Sequence, residues 1–312
     1  MFHERTMNAA KGRWRGILIA LGLPEACLVN KHGPCPLCDS KDNFRFDNRE
    51  GSGSWICTCG AGDGMKLAMS YTGKDFRSLA PEIDALTGNL KPEAVTPAQS
   101  TEAIRQALRR VYGDTRNLAG EDLASLYLES RGCGEVVYPK SLRFGLCSDG
   151  EGGVRPTMVA VLSSPDGKPC TMHRTFLNPK GGKAEMDKPR KMMPGAIAEG
   201  ACVRLSEWVP GPLGIAEGIE TAMSASRLFS LPVWAATSAD LMRKWKWPED
   251  ATEIVVFGDR DPKLAGQAAA WHLAHRIALT GMPVQVMIPE GPGKQDWNDV
   301  LMAKLSKERG SD

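Results

Sequence analysis

Three acidic clusters in the last hundred residues have the types and spacing for metal-assisted chemistry. Glu217 follows the apolar run Leu213–Ala216. Asp259 and Asp261 follow Glu253–Phe257, and Asp296 and Asp299 lie beyond Val284–Ile288. Two aspartates at i and i+2 beside a strand end face one side and can hold a hard cation through oxygen. A neighbouring glutamate can join them as a ligand or take a proton as general base. Any one cluster alone would read as turn or helix-cap chemistry. Three of them, each at a strand end, read as a Mg²⁺ site. Glu220, one helical turn past Glu217, has a plain alternative as first-turn helix charge.

A second chemistry is written in cysteine. Cys35-Pro-Leu-Cys38 and Cys57-Thr-Cys59 offer four thiols from two tight loops. That is the donor set of a closed, structural tetrahedral zinc site. The second pair is one residue shorter than the usual spacing. Cys59 is the expected fourth ligand, with His32 and Cys27 as alternatives. Between the pairs, Phe44, Arg45, Phe46 and Trp55 alternate aromatic and basic character. They are expected either to stack on unpaired bases while Arg45 meets phosphate, or to form a small core beneath the metal.

The elements that must position these groups change character along the chain. Residues 30–72 are Gly- and Cys-rich with short strands and no long helical pattern. Residues 87–101, rich in Pro and polar residues, read as a linker. Helices are expected at Glu102–Tyr112 and Glu121–Arg131, and β segments such as Thr157–Leu162 dominate 140–210. Beyond that, strands at Leu213–Ala216, Val233–Ala236, Glu253–Phe257 and Val284–Ile288 alternate with helices at Ile219–Phe229, 240–246 and Ala265–Leu279. This alternation implies a mostly parallel sheet with helices on both faces. The expected domains are a helix and ribbon at 1–86, the linker at 87–101, an α+β middle segment at 102–210 and an α/β domain at 211–312.

The 312 residues contain nine cysteines, an odd number, which fits metal binding in a reducing cytosol better than a disulfide framework. Arg13-Trp-Arg followed by the apolar Gly16–Gly22 has the outline of a signal peptide. With Glu4 upstream and Pro24-Glu25 after it, the segment reads instead as a helix packing Trp14, Leu18 and Leu21 on one face. No run is long enough to span a membrane. Lys and Arg number 39 against 37 Asp and Glu, a net charge of +2, so no global basic field points to nucleic acid. Basic residues nevertheless gather locally at His173, Arg174, Lys180, Lys183, Lys188, Arg190 and Lys191. Arg174, between apolar strand positions, is the expected buried functional cation.

Glu217 with Asp259-Arg-Asp261 resembles the signature of the Toprim domain. The resemblance is closest to zinc-binding Toprim primases of plasmids, integrative elements and satellite phages, and it spans nearly the whole chain. It is carried by Ala10-x-Gly12-x-Trp14, by His32–Cys38 with Phe44-Arg-Phe46 and Trp55–Gly64, and by Tyr127–Gly132, Leu142-Arg-Phe144, Pro156-Thr-Met158 and His173–Leu177. Gly258–Asp261, Gly266–Ala269 and Asp296–Asp299 complete it. The short second cysteine pair and the longer spacing from Asp261 to Gly266 depart from the commonest form.

The resemblance implies a DNA primase. It would synthesise short RNA primers on single-stranded DNA from nucleoside triphosphates, in the cytoplasm of a bacterial or phage-infected cell. Glu217, Asp259 and Asp261 would bind Mg²⁺ or Mn²⁺, with Asp296 and Asp299 as further catalytic acids. Phe44, Arg45, Trp55, His173, Arg174, Lys183, Lys191 and Lys294 would contact nucleotide or template. With no phosphate-binding loop after Asp299, the chain resembles the primase half alone, served by a separate helicase. A Toprim nuclease, or a zinc-ribbon single-strand-binding protein whose acidic site has lapsed, are the competing readings.

Overall fold

The computed structural model of the chain describes residues 2–93 and 100–309; residues 94–99 of the expected linker lie outside them. The chain divides after residue 100 into two compact units, each with its own apolar core.

The first unit contains α1 (Phe2–Ala10), α2 (Trp14–Ala20), the short strands β1 (Arg45–Phe46), β2 (Trp55–Cys57) and β3 (Gly60–Gly62), α3 (Gly64–Thr72) and α4 (Phe76–Thr87). The three strands form an antiparallel ribbon in the order β1-β2-β3. Trp14, Ile17 and Leu18 are buried, whereas Leu21, expected on the same face, is only partly covered. The Trp14 indole lies flat against the start of α3. A Cβ on Gly64 would sit 2.1 Å from its ring, so only glycine permits this approach. α3 falls where the sequence suggested no long helix. It is marked by its caps: Asp63 accepts from the Lys66 N–H at 2.9 Å, and Gly73 closes the helix in the left-handed region at φ 70°.

The second unit opens with α5 (Thr101–Gly113), β4 (Thr115–Asn117) and α6 (Leu123–Ser130). The strands β5 (Leu142–Ser148), β6 (Val154–Ser163), β7 (Pro169–Phe176) and β8 (Arg190–Met192) then complete an antiparallel sheet in sequence order with β4. It continues with β9 (Gly211–Ala216), α7 (Ile219–Phe229), β10 (Val233–Ala235), α8 (Ala239–Lys244), β11 (Ala251–Phe257), α9 (Ala265–Ala278), β12 (Val284–Met287) and α10 (Trp297–Arg309). These four strands form a wholly parallel sheet, ordered β10-β9-β11-β12. α7 and the start of α10 share one core with the antiparallel sheet, and α8 and α9 cover the opposite face. No helix among the described residues is long and apolar enough to cross a membrane.

The strand order fixes where chemistry can sit. From β9 the chain steps to β10 on one side, then returns across to β11 and β12 on the other. The connections leaving the two central strands, β9 and β11, therefore run to opposite sides at the carboxyl ends, where open α/β sheets bind ligands. Ala216 pairs in register with Phe257, so Glu217 and Asp259 emerge side by side at that edge.

Candidate active site

The carboxylates at this edge are held by different means. Glu217 extends from β9, with its backbone carbonyl accepting from the Thr237 N–H at 2.7 Å. Burial pushes its carboxyl upward, opposed by Arg190 and by the Ala239 N–H. Asp259 is pushed further, to about 7, first by burial and then by the negative charges of Glu217 and Asp296. Its Oδ1 is buried with no hydrogen-bond partner. Asp261 differs: although burial opposes it, the N–H groups of Gly266, Ala265 and Lys263 hold it below the usual carboxylate range. Lys263 and Gly266 donate to its two oxygens at 2.9 and 2.8 Å. Asp261 thus doubles as a cap for α9. A Cβ on Gly266 would lie 2.6 Å from the Asp259 carbonyl, so α9 can start this close to the acidic loop only with glycine there.

The third acidic cluster divides. Arg260 and Gln295 exchange backbone hydrogen bonds at 2.8 and 2.9 Å, stitching the Asp259–Asp261 loop to the segment before α10. This brings Asp296 and Lys294 near enough to act on Asp259 with opposite sign. Asp299 turns the other way. Its Oδ2 accepts from the Asp296 N–H at 3.1 Å, while Asp296 Oδ1 accepts from the Asp299 N–H at 2.9 Å. This is a reciprocal helix cap with Asp in place of Glu, so the structure places Asp299 in the cap of α10.

Strand parity sorts the cations expected from the middle segment. Across β6 and β7, Ala160 pairs with His173 on the face packed toward α7, and Val159 pairs with Arg174 on the other face. β8 places Arg190 opposite Thr175 and Lys191 opposite Arg174. Arg190 and buried His173 therefore face the parallel sheet, and burial followed by the charge of Arg190 pushes His173 down to about 4. Lys183 joins them through a bridge to Leu177. Arg174 and Lys191 lie on the far face, both over the Phe176 ring. Arg174 donates to the Ser148 carbonyl at 2.8 Å, and Lys191 to the Asp149 carbonyl and to Glu151, each at 2.8 Å. Arg174, expected as the site's buried cation, thus lies on the far face and the partly exposed Arg190 on the near one, because adjacent residues of a strand point to opposite faces. The same parity sets Lys191 on that far face.

Glu220 is the residue that sequence reasoning underrated. It is 4% exposed, and its Oε1 accepts from the Tyr127 hydroxyl, from Arg190 Nη2 at 2.8 Å and from Lys183 Nζ at 3.3 Å. The sequence signal was available only as Tyr127 in a helix and a cationic run, 93 and 30 or more residues from the acid they meet.

The cysteine cluster lies in the first unit. Sγ–Sγ distances are 3.7 Å for Cys35–Cys59 and 3.8 Å for Cys38–Cys57, and all four sulfurs lie within 4.8 Å of one another. Four sulfurs about 2.3 Å from a tetrahedral zinc stand about 3.8 Å apart, so the set fits the ion and Cys59 completes it. Against the effect of burial, the Cys59 N–H and the Ser40 hydroxyl bring the Cys57 thiol down to about 6, toward the thiolate that zinc needs. Among the described residues, these cysteines alone bring three or more such donors this close.

Phe44 and Trp55 are 1% and 4% exposed and stack on each other at 5.8 Å. Both rings therefore occupy packing positions. Their faces are spent in the core under the cysteines, as the alternative reading held. Arg45, partly exposed, meets Asp47 at 3.4 Å.

Three family models match the chain in succession. Residues 30–65 match the zinc-binding domain of primase-helicase, residues 102–205 a domain of unknown function (DUF7146), and residues 212–307 the Toprim domain. Among solved structures, the primase fragment of the bacteriophage T7 primase-helicase is similar at 15% identity over 90% of this chain and 98% of that one, with a TM-score of 0.39. The zinc-binding and RNA polymerase domains of the Aquifex aeolicus primase are similar at 18% identity over 99% and 83%, with a TM-score of 0.40. With a primase-type zinc ribbon and a Toprim domain in one sequence, the chain resembles zinc-binding Toprim primases in both modules.

Proposed function

We propose that the protein is a DNA primase, joining ribonucleotides on a single-stranded DNA template by divalent-metal-dependent nucleotidyl transfer. The observation that carries this reading is the pair Glu217 and Asp259 at the adjacent carboxyl ends of the two central strands, with the Asp259 Oδ1 buried and unpartnered. Burying two mutually repelling carboxylates is costly unless a cation completes them. All-oxygen donors around an orphaned oxygen suit Mg²⁺ or Mn²⁺.

Glu217, Asp259 and Asp261 are the residues that would hold the metal. When bound, it would lower the pKa of the attacking 3′-hydroxyl and neutralise charge on the departing pyrophosphate. The chain's own groups then divide the remaining work. Lys294 balances the acidic loop from the side, as its effect on Asp259 and Asp261 indicates. Arg190 and Lys183 present positive charge across from the carboxylates, where a triphosphate would lie. The zinc ribbon offers Arg45 and a rigid fold for template contact, working through surface charge and not through its buried rings. A separate helicase would supply the single strand.

The test is synthesis from nucleoside triphosphates on short single-stranded DNA libraries, with and without Mg²⁺. Template-dependent products, lost in Asp259→Ala, support the reading. Nicking of DNA without synthesis overturns it.

A further inference from the structure

Glu220 is not needed by the carboxylate pair, yet it is the most deeply enclosed acid at this rim. It occupies the first turn of α7, a helix whose first seven residues are buried. Its cationic partners are placed less firmly. Arg190 opens β8, an edge strand of three residues, and Lys183 belongs to the turn that Leu177 bridges. Their side chains remain 44% and 35% exposed. Each therefore meets Glu220 while part of its side chain stays open to solvent. Arg190 still reaches Glu217 and Asp259 electrostatically, which places its charge beside the carboxylate pair.

A role in stability alone explains this poorly. Buried ion pairs seldom stabilise more than packed apolar groups would, and neither partly exposed cation needs a buried anion for its own solvation. Resting on the nucleotidyl-transfer reading, we propose that Glu220 is a positioning residue. It holds Arg190 and Lys183 as a preformed clamp for the triphosphate of the incoming nucleotide. The Tyr127 hydroxyl fixes the same Oε1, so three donors converge on one oxygen and the two cations are set against a rigid helix start. The clamp is built on the join between the antiparallel and parallel sheets, and it costs little reorganisation when an anion arrives.

The experiment uses the full chain and the variants Glu220→Gln and Glu220→Asp. Primer synthesis gives KM and kcat for nucleoside triphosphate, and calorimetry gives the affinity for inorganic tripolyphosphate. Glu220→Gln should raise KM and weaken tripolyphosphate binding on the order of tenfold, the loss expected for a charge-assisted contact. In the same variant kcat should stay within about threefold, and Glu220→Asp should recover part of the affinity. A merely structural Glu220 would instead lower the active fraction with KM unchanged, and that result overturns the proposal. If Glu220→Gln does not fold, Lys183→Gln, which leaves Glu220 with Arg190, must raise KM and weaken tripolyphosphate binding. Wild-type values there also overturn it. Absence of synthesis in the wild type would sink the primase reading alone, since tripolyphosphate binding still decides the role of Glu220.

Discussion

The two metal-type sites of this chain are opposites in construction. The cysteines converge from two hairpin-like loops until every sulfur is within 4.8 Å of the rest, a set complete in itself. The carboxylates emerge from two parallel strands, stand further apart, and leave Asp259 Oδ1 without a partner. A closed thiolate set holds a fold together. An open carboxylate set in a crevice has room for something that comes and goes. The ribbon therefore reads as architecture and the strand ends as chemistry.

Removing the open set should have the largest effect. Asp259→Ala is expected to lower primer synthesis at least ~10³-fold, the loss of several kcal/mol of metal-borne stabilisation. The thermal midpoint should stay level or rise, because a buried repulsion disappears. A folded variant with residual synthesis above a few per cent would break the contrast. Removing the closed set should do the reverse. Cys57→Ser, or chelation, should cut zinc content measured by atomic absorption and unfold the ribbon, since zinc binding energy is folding energy there. The unfolding transition of residues 101–312, which have a separate core, should persist.

A third, smaller effect sharpens the distinction through pH. Asp259 titrates at about 7 in the folded, metal-free protein and near 3.9 when unfolded. A carboxyl raised in this way favours the folded state below its unfolded value, and that contribution is lost as pH rises through about 7. Metal-free protein should therefore melt lower at pH 8 than at pH 6. Mg²⁺ should raise the melting point more at pH 8, as calorimetry at both pH values can show. Equal shifts would argue against a cation bound by ionised Asp259. The smallest effect is at the cap: Asp299→Ala should cost about 1 kcal/mol of stability in denaturant titration and leave KM unchanged.

Much of this was legible in the sequence because strand ends announce themselves. The apolar runs before Glu217 and Asp259 are short and bounded, and α/β alternation then places both acids on one rim. Parity was not legible. Nothing in His173-Arg174 says which of the two faces the acids until β6 and β7 are set in register, and Arg190 likewise gains its meaning only from pairing with Thr175. Phe44 and Trp55 kept two readings for a related reason: a two-sided ribbon shows alternation but not which side is covered. Glu220 stayed hidden because its partners lie 30 to 93 residues away in sequence, where no local pattern can point to them. The cap at Asp299 was not legible because an acid three residues after Asp296 suits a cap and a ligand equally well.

The backbone bridge between Arg260 and Gln295 has a kinetic consequence. Both amides lie in connecting loops, yet each is tied to the other's carbonyl, so they should exchange with deuterated solvent far more slowly than their loop neighbours. Slow exchange there would mean that the acidic loop is rigid before any ion arrives. Ion capture would then run at the speed with which the cation sheds its water, with no wait for the protein to order itself.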